Sequence, residues 1–258
     1  MNRFHRSRSV AIVGFSLLSA AALGQKANAT DFVVRIENVS TGQTLKTSKG
    51  NKNVGLSPGA WCLHTGDNPM YVVGRRAATM LERLAEDGNP EGFFSDLQIN
   101  PRVKATGAFN YAASPYPVAG FIGSKQAFEF VVKDAAPGDR LSFVTMFIES
   151  NDWFYANNAQ GIALFGADGS PTSRDITNLV GLFDAGTEAN EEPGVGMNQA
   201  PRQSRPDTGR PTQSPVYAMV PPSASLGSAM NEGAAGVGDR RWKGPEVGSV
   251  IRVTITPR

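Results

Sequence analysis

Apolar and polar residues alternate from Val34 to Glu37 within Asp31-Phe32-Val33-Val34-Arg35-Ile36-Glu37-Asn38-Val39, the period of a strand with one buried face. Ser40-Thr41-Gly42-Gln43 turns the chain, and residues 46–53 are polar enough to predict a solvated loop, with Lys46, Lys49 and Lys52 on a soluble face. Leu56-Ser57-Pro58-Gly59-Ala60-Trp61-Cys62-Leu63-His64 predicts a turn and then a short apolar strand. Over residues 75–87 the period changes. Ala77, Ala78, Met80, Leu81, Leu84 and Ala85 recur at helical spacing, Glu82, Arg83 and Glu86 point outward, and Gly88-Asn89-Pro90 supplies the stop.

Beyond this single helix the pattern returns to short strands. Residues 93–103 lead on, and residues 107–123, rich in Gly, Ala and Pro, predict an irregular connection. Residues 127–132 alternate, 135–139 form a turn, and 140–148 form a continuously apolar strand that empties into Ser150-Asn151-Asp152-Trp153-Phe154. Ile162-Ala163-Leu164-Phe165 predicts a strand closed by the turn Gly166-Ala167-Asp168-Gly169, and 175–183 predicts an extended segment. Residues 189–214 carry few large apolar side chains and predict a long, partly mobile surface loop. Residues 216–220 predict a strand, and the β-branched run 249–256 one that packs on both faces or closes a sheet. Short strands with turn signals and one helix predict an all-β fold, an antiparallel β-sandwich, in a single domain over 30–258.

The first 29 residues stand apart. Arg3, His5, Arg6 and Arg8 precede an apolar run from Val10 to Leu23 and then Ala27-Asn28-Ala29, the layout of a signal peptide cut near Ala29. The run is shorter than the roughly 20 residues that span a bilayer, so a membrane anchor is the weaker reading. The expected destination is outside the cytoplasm: secreted, periplasmic or at the cell surface. The leader holds four basic residues, Arg3, Arg6, Arg8 and Lys26, and no acid. From Thr30 onward 21 basic side chains therefore face 23 acidic ones, a net of −2, which removes the basic surface that a nucleic-acid partner requires.

Candidate chemistry is narrow. Cys62 is the sole cysteine, so no intrachain disulfide is expected, and His64 is the sole histidine after the leader. Zinc sites that need several His or Cys ligands are excluded. Cys62 and His64 share a face if their stretch is a strand; ordinary packing competes there with a soft-metal site. No Gly-x-Ser-x-Gly elbow or phosphate-cradling glycine loop is present, and one histidine is a poor supply of bases, so an enzyme is not expected. What remains is acid beside apolar strands: Asp152 where strand 140–148 gives out, and Asp184 and Glu188 around Ala185-Gly186. Together they suit one hard cation such as Ca2+, which takes carboxylate, carbonyl and water oxygens. In the alternative, Asp152 caps a turn and the other two decorate a loop. Glu149, Asn151, Glu191 and Glu192 flank these positions and are expected to be solvated neighbours.

Phe143-Val144-Thr145-Met146, then Ser150-Asn151-Asp152-Trp153-Phe154, then Phe183-Asp184-Ala185-Gly186-Thr187-Glu188 and the closing Val250-Ile251-Arg252-Val253-Thr254-Ile255 resemble the spondin domain near the amino terminus of F-spondin and mindin. The resemblance covers essentially the chain from residue 30. It implies an eight-stranded antiparallel sandwich with one calcium ion at an end, held by Asp152, Asp184 and Glu188. Glu188 departs from the Asp usual in the animal domains, and the cysteines of those domains are absent, which suggests a stand-alone bacterial-type member.

The function implied is a secreted, non-catalytic, calcium-binding recognition or adhesion module that meets a surface, matrix or protein ligand. The alternative is a structural protein of envelope or matrix that self-associates without a foreign ligand.

Overall fold

The alternation at the start of the chain becomes strand β1 (Thr30–Asn38), in which Phe32, Val34, Ile36 and Asn38 are buried and the residues between them are not. The computed structural model describes residues 29–114, 120–220, 222–223 and 241–258. The expected leader, apart from Ala29, lies outside these residues.

Ten further strands follow among the described residues: β2 (Gly55–His64), β3 (Val103–Phe109), β4 (Ala127–Ala135), β5 (Arg140–Ile148), β6 (Trp153–Asn157), β7 (Ile162–Ala163), β8 (Arg174–Asp175), β9 (Val180–Asp184), β10 (Tyr217–Val220) and β11 (Ile251–Pro257). They form two sheets in which every neighbouring pair is antiparallel. The first has the order β4-β1-β11-β8; the second runs β10-β9-β6-β5-β2-β3, with β7 beside the start of β5. Among the described residues the strands thus number eleven, two of them only two residues long, and the expected count of eight is not confirmed.

One apolar core joins the two sheets. Phe32, Val34 and Ile36 from β1, Phe128 and Phe130 from β4 and Val253 and Ile255 from β11 meet Trp61, Phe143, Phe147, Trp153 and Tyr155 from the second sheet. Trp61 stacks on Phe130 with ring centroids 5.5 Å apart. The other face of the second sheet carries Ala60, Cys62, Val144, Phe154, Ala156 and Phe183, and it is covered by two helices, α1 (Thr79–Asp87) and α2 (Gly92–Gln98). Because β5 is covered from both sides, its residues from Leu141 to Phe147 are all buried, which is why that stretch is apolar without alternation.

Several local expectations are corrected. Among the described residues two α-helices are present, not one; α2 buries Phe93 and Leu97, one turn apart, in too short a run for its period to stand out. The first helix starts at Thr79 instead of residue 75, because Arg75 and Arg76 pair instead with the segment at Pro215 and Val216. Ser57-Pro58-Gly59 is not a turn. The strand continues through it as a bulge, Ser57 and Pro58 lying opposite the single residue Met146 of β5, and Ser57 replaces the lost ladder bonds by accepting from Met146 N–H and Thr145 Oγ1. Strand β3 lies inside stretches expected to be linking or irregular. The extended segment 175–183 is broken by a 3-10 turn at Thr177–Leu179. Finally, β11 buries one face only, Ile251, Val253 and Ile255, while Arg252 and Thr256 are exposed.

Candidate metal centre

Sheet register brings the two acidic motifs together. In the β6–β9 ladder Trp153 pairs with Asp184, so the residue before β6, Asp152, lies beside the residue after β9, Ala185. The Ala185 N–H donates to the Asp152 carbonyl at 3.0 Å and continues the ladder past the strand ends. Two segments more than thirty residues apart thereby place Asp152, Asp184 and the Gly186-Thr187-Glu188 turn at one end of the second sheet.

The three expected ligands have different surroundings. Asp152 is fully buried: its Oδ2 accepts from the Thr187 N–H (2.7 Å), the Thr187 hydroxyl (3.2 Å) and the Glu188 N–H (3.1 Å), while its Oδ1 has no partner. Asp184 is enclosed by donors. Gly186 N–H reaches its Oδ1 at 2.8 Å; Asn190 Nδ2, the Tyr217 hydroxyl and Trp153 Nε1 reach its Oδ2 at 2.6, 2.7 and 3.2 Å. Glu188, also buried, accepts from Asn151 Nδ2 at 3.1 Å and from the Gly209 N–H at 2.7 Å.

Glu86 belongs to the same place. Read from the helical period it points outward, yet in α1 it is buried. It is not part of the apolar stripe of Leu81, Leu84 and Ala85. It is buried from outside the helix, where Glu188 and Asp207 of the 187–209 segment lie against it. Glu86, Glu188 and Asp207 each offer a carboxylate oxygen within 4.8 Å of the other two, and they are the only acidic or His/Cys trio so placed among the described residues. Asp152 and Asp184 form no such trio with Glu188.

All four buried carboxylates are pushed above the usual range, chiefly by burial. The Asp184 charge further raises Asp152, and Glu188 further raises Glu86, which reaches about 8. Among the described residues the ion pairs lie elsewhere: Arg35 with Glu129, Lys52 and Arg202 with Glu149, Lys104 with Asp139 and Arg252 with Glu37. None reaches Asp152, Asp184, Glu188 or Glu86. Buried carboxylates with no cationic side chain must take up protons or a cation. The all-oxygen donor set and the unpartnered Asp152 Oδ1 fit a hard divalent ion.

Sequence reasoning placed Glu149 and Asn151 in solvent. In the fold Glu149 pairs with Lys52 and Arg202, and Asn151 is buried, donating to Glu188 and accepting from the Glu191 N–H at 2.8 Å and Gln199 Nε2 at 3.1 Å. Glu191 in turn accepts from Asn198, and Glu192 from Ser48. The 189–214 loop is therefore pinned, with Asn190 and Gln199 buried under it.

Cys62 and His64 are both fully buried on β2, next to Ser142 of β5. Cys62 lies in the apolar cluster beneath the helices, its thiol pushed up to about 12 by burial. His64 Nε2 lies 2.8 Å from Ser142 Oγ, and both side chains are fully buried.

No family model matches the chain, and no curated protein matches it. No helix among the described residues is long and apolar enough to cross a membrane.

Proposed function

We propose that the protein is a calcium-stabilised, non-catalytic recognition module of the spondin-like β-sandwich class, exported and acting at a surface or in matrix through its loops. The observation that carries this reading is the pair of adjacent buried carboxylates, Asp152 and Asp184, without a cationic side chain and with Asp152 Oδ1 lacking any donor. Asp152, Asp184 and Glu188 gather negative charge at this end of the sheet without lying around one point, so a small closing movement would be needed for one ion to meet all three, and bound calcium would neutralise charge that otherwise opposes folding. Trp153 and Tyr217 set the position of Asp184 from two different strands, so the ion would rest on the rigid end of the sheet.

The test is thermal unfolding of the purified chain from Thr30 onward in millimolar calcium and after chelation. At calcium about a hundredfold above its dissociation constant, linkage contributes about 2.7 kcal/mol. For a domain of this size that is a rise of roughly 5 to 10 °C in Tm. No rise, together with no metal in the purified protein, would overturn the reading.

A further inference from the structure

We propose that the cleft between the end of α1, the β2 bulge and Phe121 is a docking pocket for an arginine side chain carried by a partner polypeptide. The cleft shares no residue with Asp152, Asp184 or Glu188 and does not depend on calcium. It would give the recognition module a partner of stated chemistry.

Five segments distant in sequence build the cleft: the β2 bulge, the end of α1, Phe121, the end of β5 and the 189–214 loop. It holds about 350 Å3, at the small end of the range for ligand pockets. Its walls are apolar, formed by Pro58, Phe121, Met146, Ile148 and Pro201. Phe121 is 60 % exposed, yet the next residue, Ile122, is fully buried and exchanges both backbone hydrogen bonds with Leu56. A Cβ at Gly55 would lie 3.6 Å from the Phe121 ring, so the ring rests against the start of β2. An aromatic side chain is thus held at the rim on fixed backbone.

The charged group of the cleft is Asp87. Gln203 Nε2 donates to its Oδ1 at 2.7 Å, and it makes no ion pair among the described residues. The last turn of α1 carries no basic residue, so the negative end of the helix dipole is uncompensated on the same side. Arg202, beside Pro201, is held by Glu149, and Arg83, one turn earlier on α1, is exposed and does not pair with Asp87. Apolar walls around a carboxylate without a cation call for an apolar stem with a cationic head. A guanidinium adds two things. Its plane stacks on an aromatic ring, and its five donors serve the carboxylate and the helix-end carbonyls together. Free arginine would add a carboxylate beside an acidic cleft; an arginine within a polypeptide adds none.

The experiment follows backbone amide NMR signals of the purified chain, in calcium and in chelator, during titration with N-acetyl-arginine methylamide and with its citrulline analogue, which has the same shape without the charge. The arginine probe should shift Asp87, Gly88, Phe121 and Ile148 saturably in both buffers. The citrulline probe should bind about tenfold or more weakly, as expected for the loss of a charged hydrogen bond. Asp87→Asn, which keeps an acceptor for Gln203, and Phe121→Ala, at an exposed position, should each weaken the arginine probe by about the same factor with Tm nearly unchanged. If Phe121→Ala lowers Tm, Asp87→Asn and the citrulline probe decide. No shift at the cleft, equal binding of the two probes, or undiminished binding by Asp87→Asn would overturn the docking pocket. The calcium reading is decided separately, by the unfolding test above.

Discussion

Asp152 accepts the backbone N–H of Glu188 at 3.1 Å through one carboxylate oxygen and leaves the other with no partner. Two residues thirty-six positions apart are thus joined by a bond that fixes the main chain of one against the side chain of the other. The acceptor is half used, and that asymmetry separates the structural part of Asp152 from the part left for a ligand.

Asp152→Asn keeps an oxygen for the Thr187 and Glu188 N–H groups and removes the buried charge. In the calcium-free protein it should stabilise by about 1–3 kcal/mol, the scale of a poorly compensated buried polar group. The calcium-induced rise in Tm should disappear in the same variant. Loss of stability in chelator would show instead that the Asp152 charge is already compensated.

Asp184→Asn should behave in the opposite way. Its four donors, Gly186, Asn190, Trp153 and Tyr217, want an acceptor, and an amide nitrogen turned towards them leaves buried donors unpaired. The expected loss is about 3 kcal/mol or more with or without calcium. Equilibrium urea unfolding in both buffers separates this variant from Asp152→Asn; equal behaviour of the two would contradict the roles assigned to them.

Acid should stabilise the calcium-free protein. Glu86 is raised from 4.5 to about 8, and Asp152, Asp184 and Glu188 are raised as well, so the folded state holds protons that the unfolded chain has released. This stability is fully present below about pH 4.5 and drains away as pH rises towards 8, by at most about 1.4 kcal/mol per pH unit for each group. His64, lowered by burial, works the other way and loses stability as pH falls below 6.5, but it is one group against four. Urea midpoints in chelator should fall between pH 6.5 and 8. Calcium, which binds the deprotonated carboxylates, should abolish or reverse that slope.

Two glycines are required by close approach. A Cβ at Gly107 would meet the Trp61 ring at 2.7 Å, and one at Gly59 would collide with the Phe109 ring and the Val144 carbonyl. Gly107→Ala should cost about 1–3 kcal/mol, the range for overpacking a filled core. Gly59→Ala should cost more, because a main-chain carbonyl on the adjacent strand cannot rotate away. Thermal unfolding of the two variants ranks them, and an unchanged Tm for Gly59→Ala would refute the packing.

Cys62 should be inert in the native protein. The thiol is fully buried and pushed up to about 12, so the thiolate that reacts with disulfide reagents is scarce and enclosed. Labelling at pH 8 should proceed only at the rate of unfolding and accelerate in urea. Rapid stoichiometric labelling without denaturant would rule this environment out.

Local pattern determined much of this chain. Alternation located β1 and β4, the uninterrupted apolar run located β5, and Gly88-Asn89-Pro90 marked where α1 stops, with Gly88 in the left-handed region there. Asp152, Asp184 and Glu188 were legible as acids at strand ends because an acid beside a buried strand needs a reason to be there. Tertiary structure alone decided the rest. Strand β3 is cut from small residues because Trp61 lies against it, and small residues carry no strand signal of their own. Glu86 is polar on a helix whose period turns it to water; it is buried by a loop more than a hundred residues downstream, and no local window contains that loop. Asp207 joins it for the same reason. A periodic pattern records which face of an element is covered by its neighbours in a sheet or helix pair, whereas burial by a distant loop depends on where the whole chain returns.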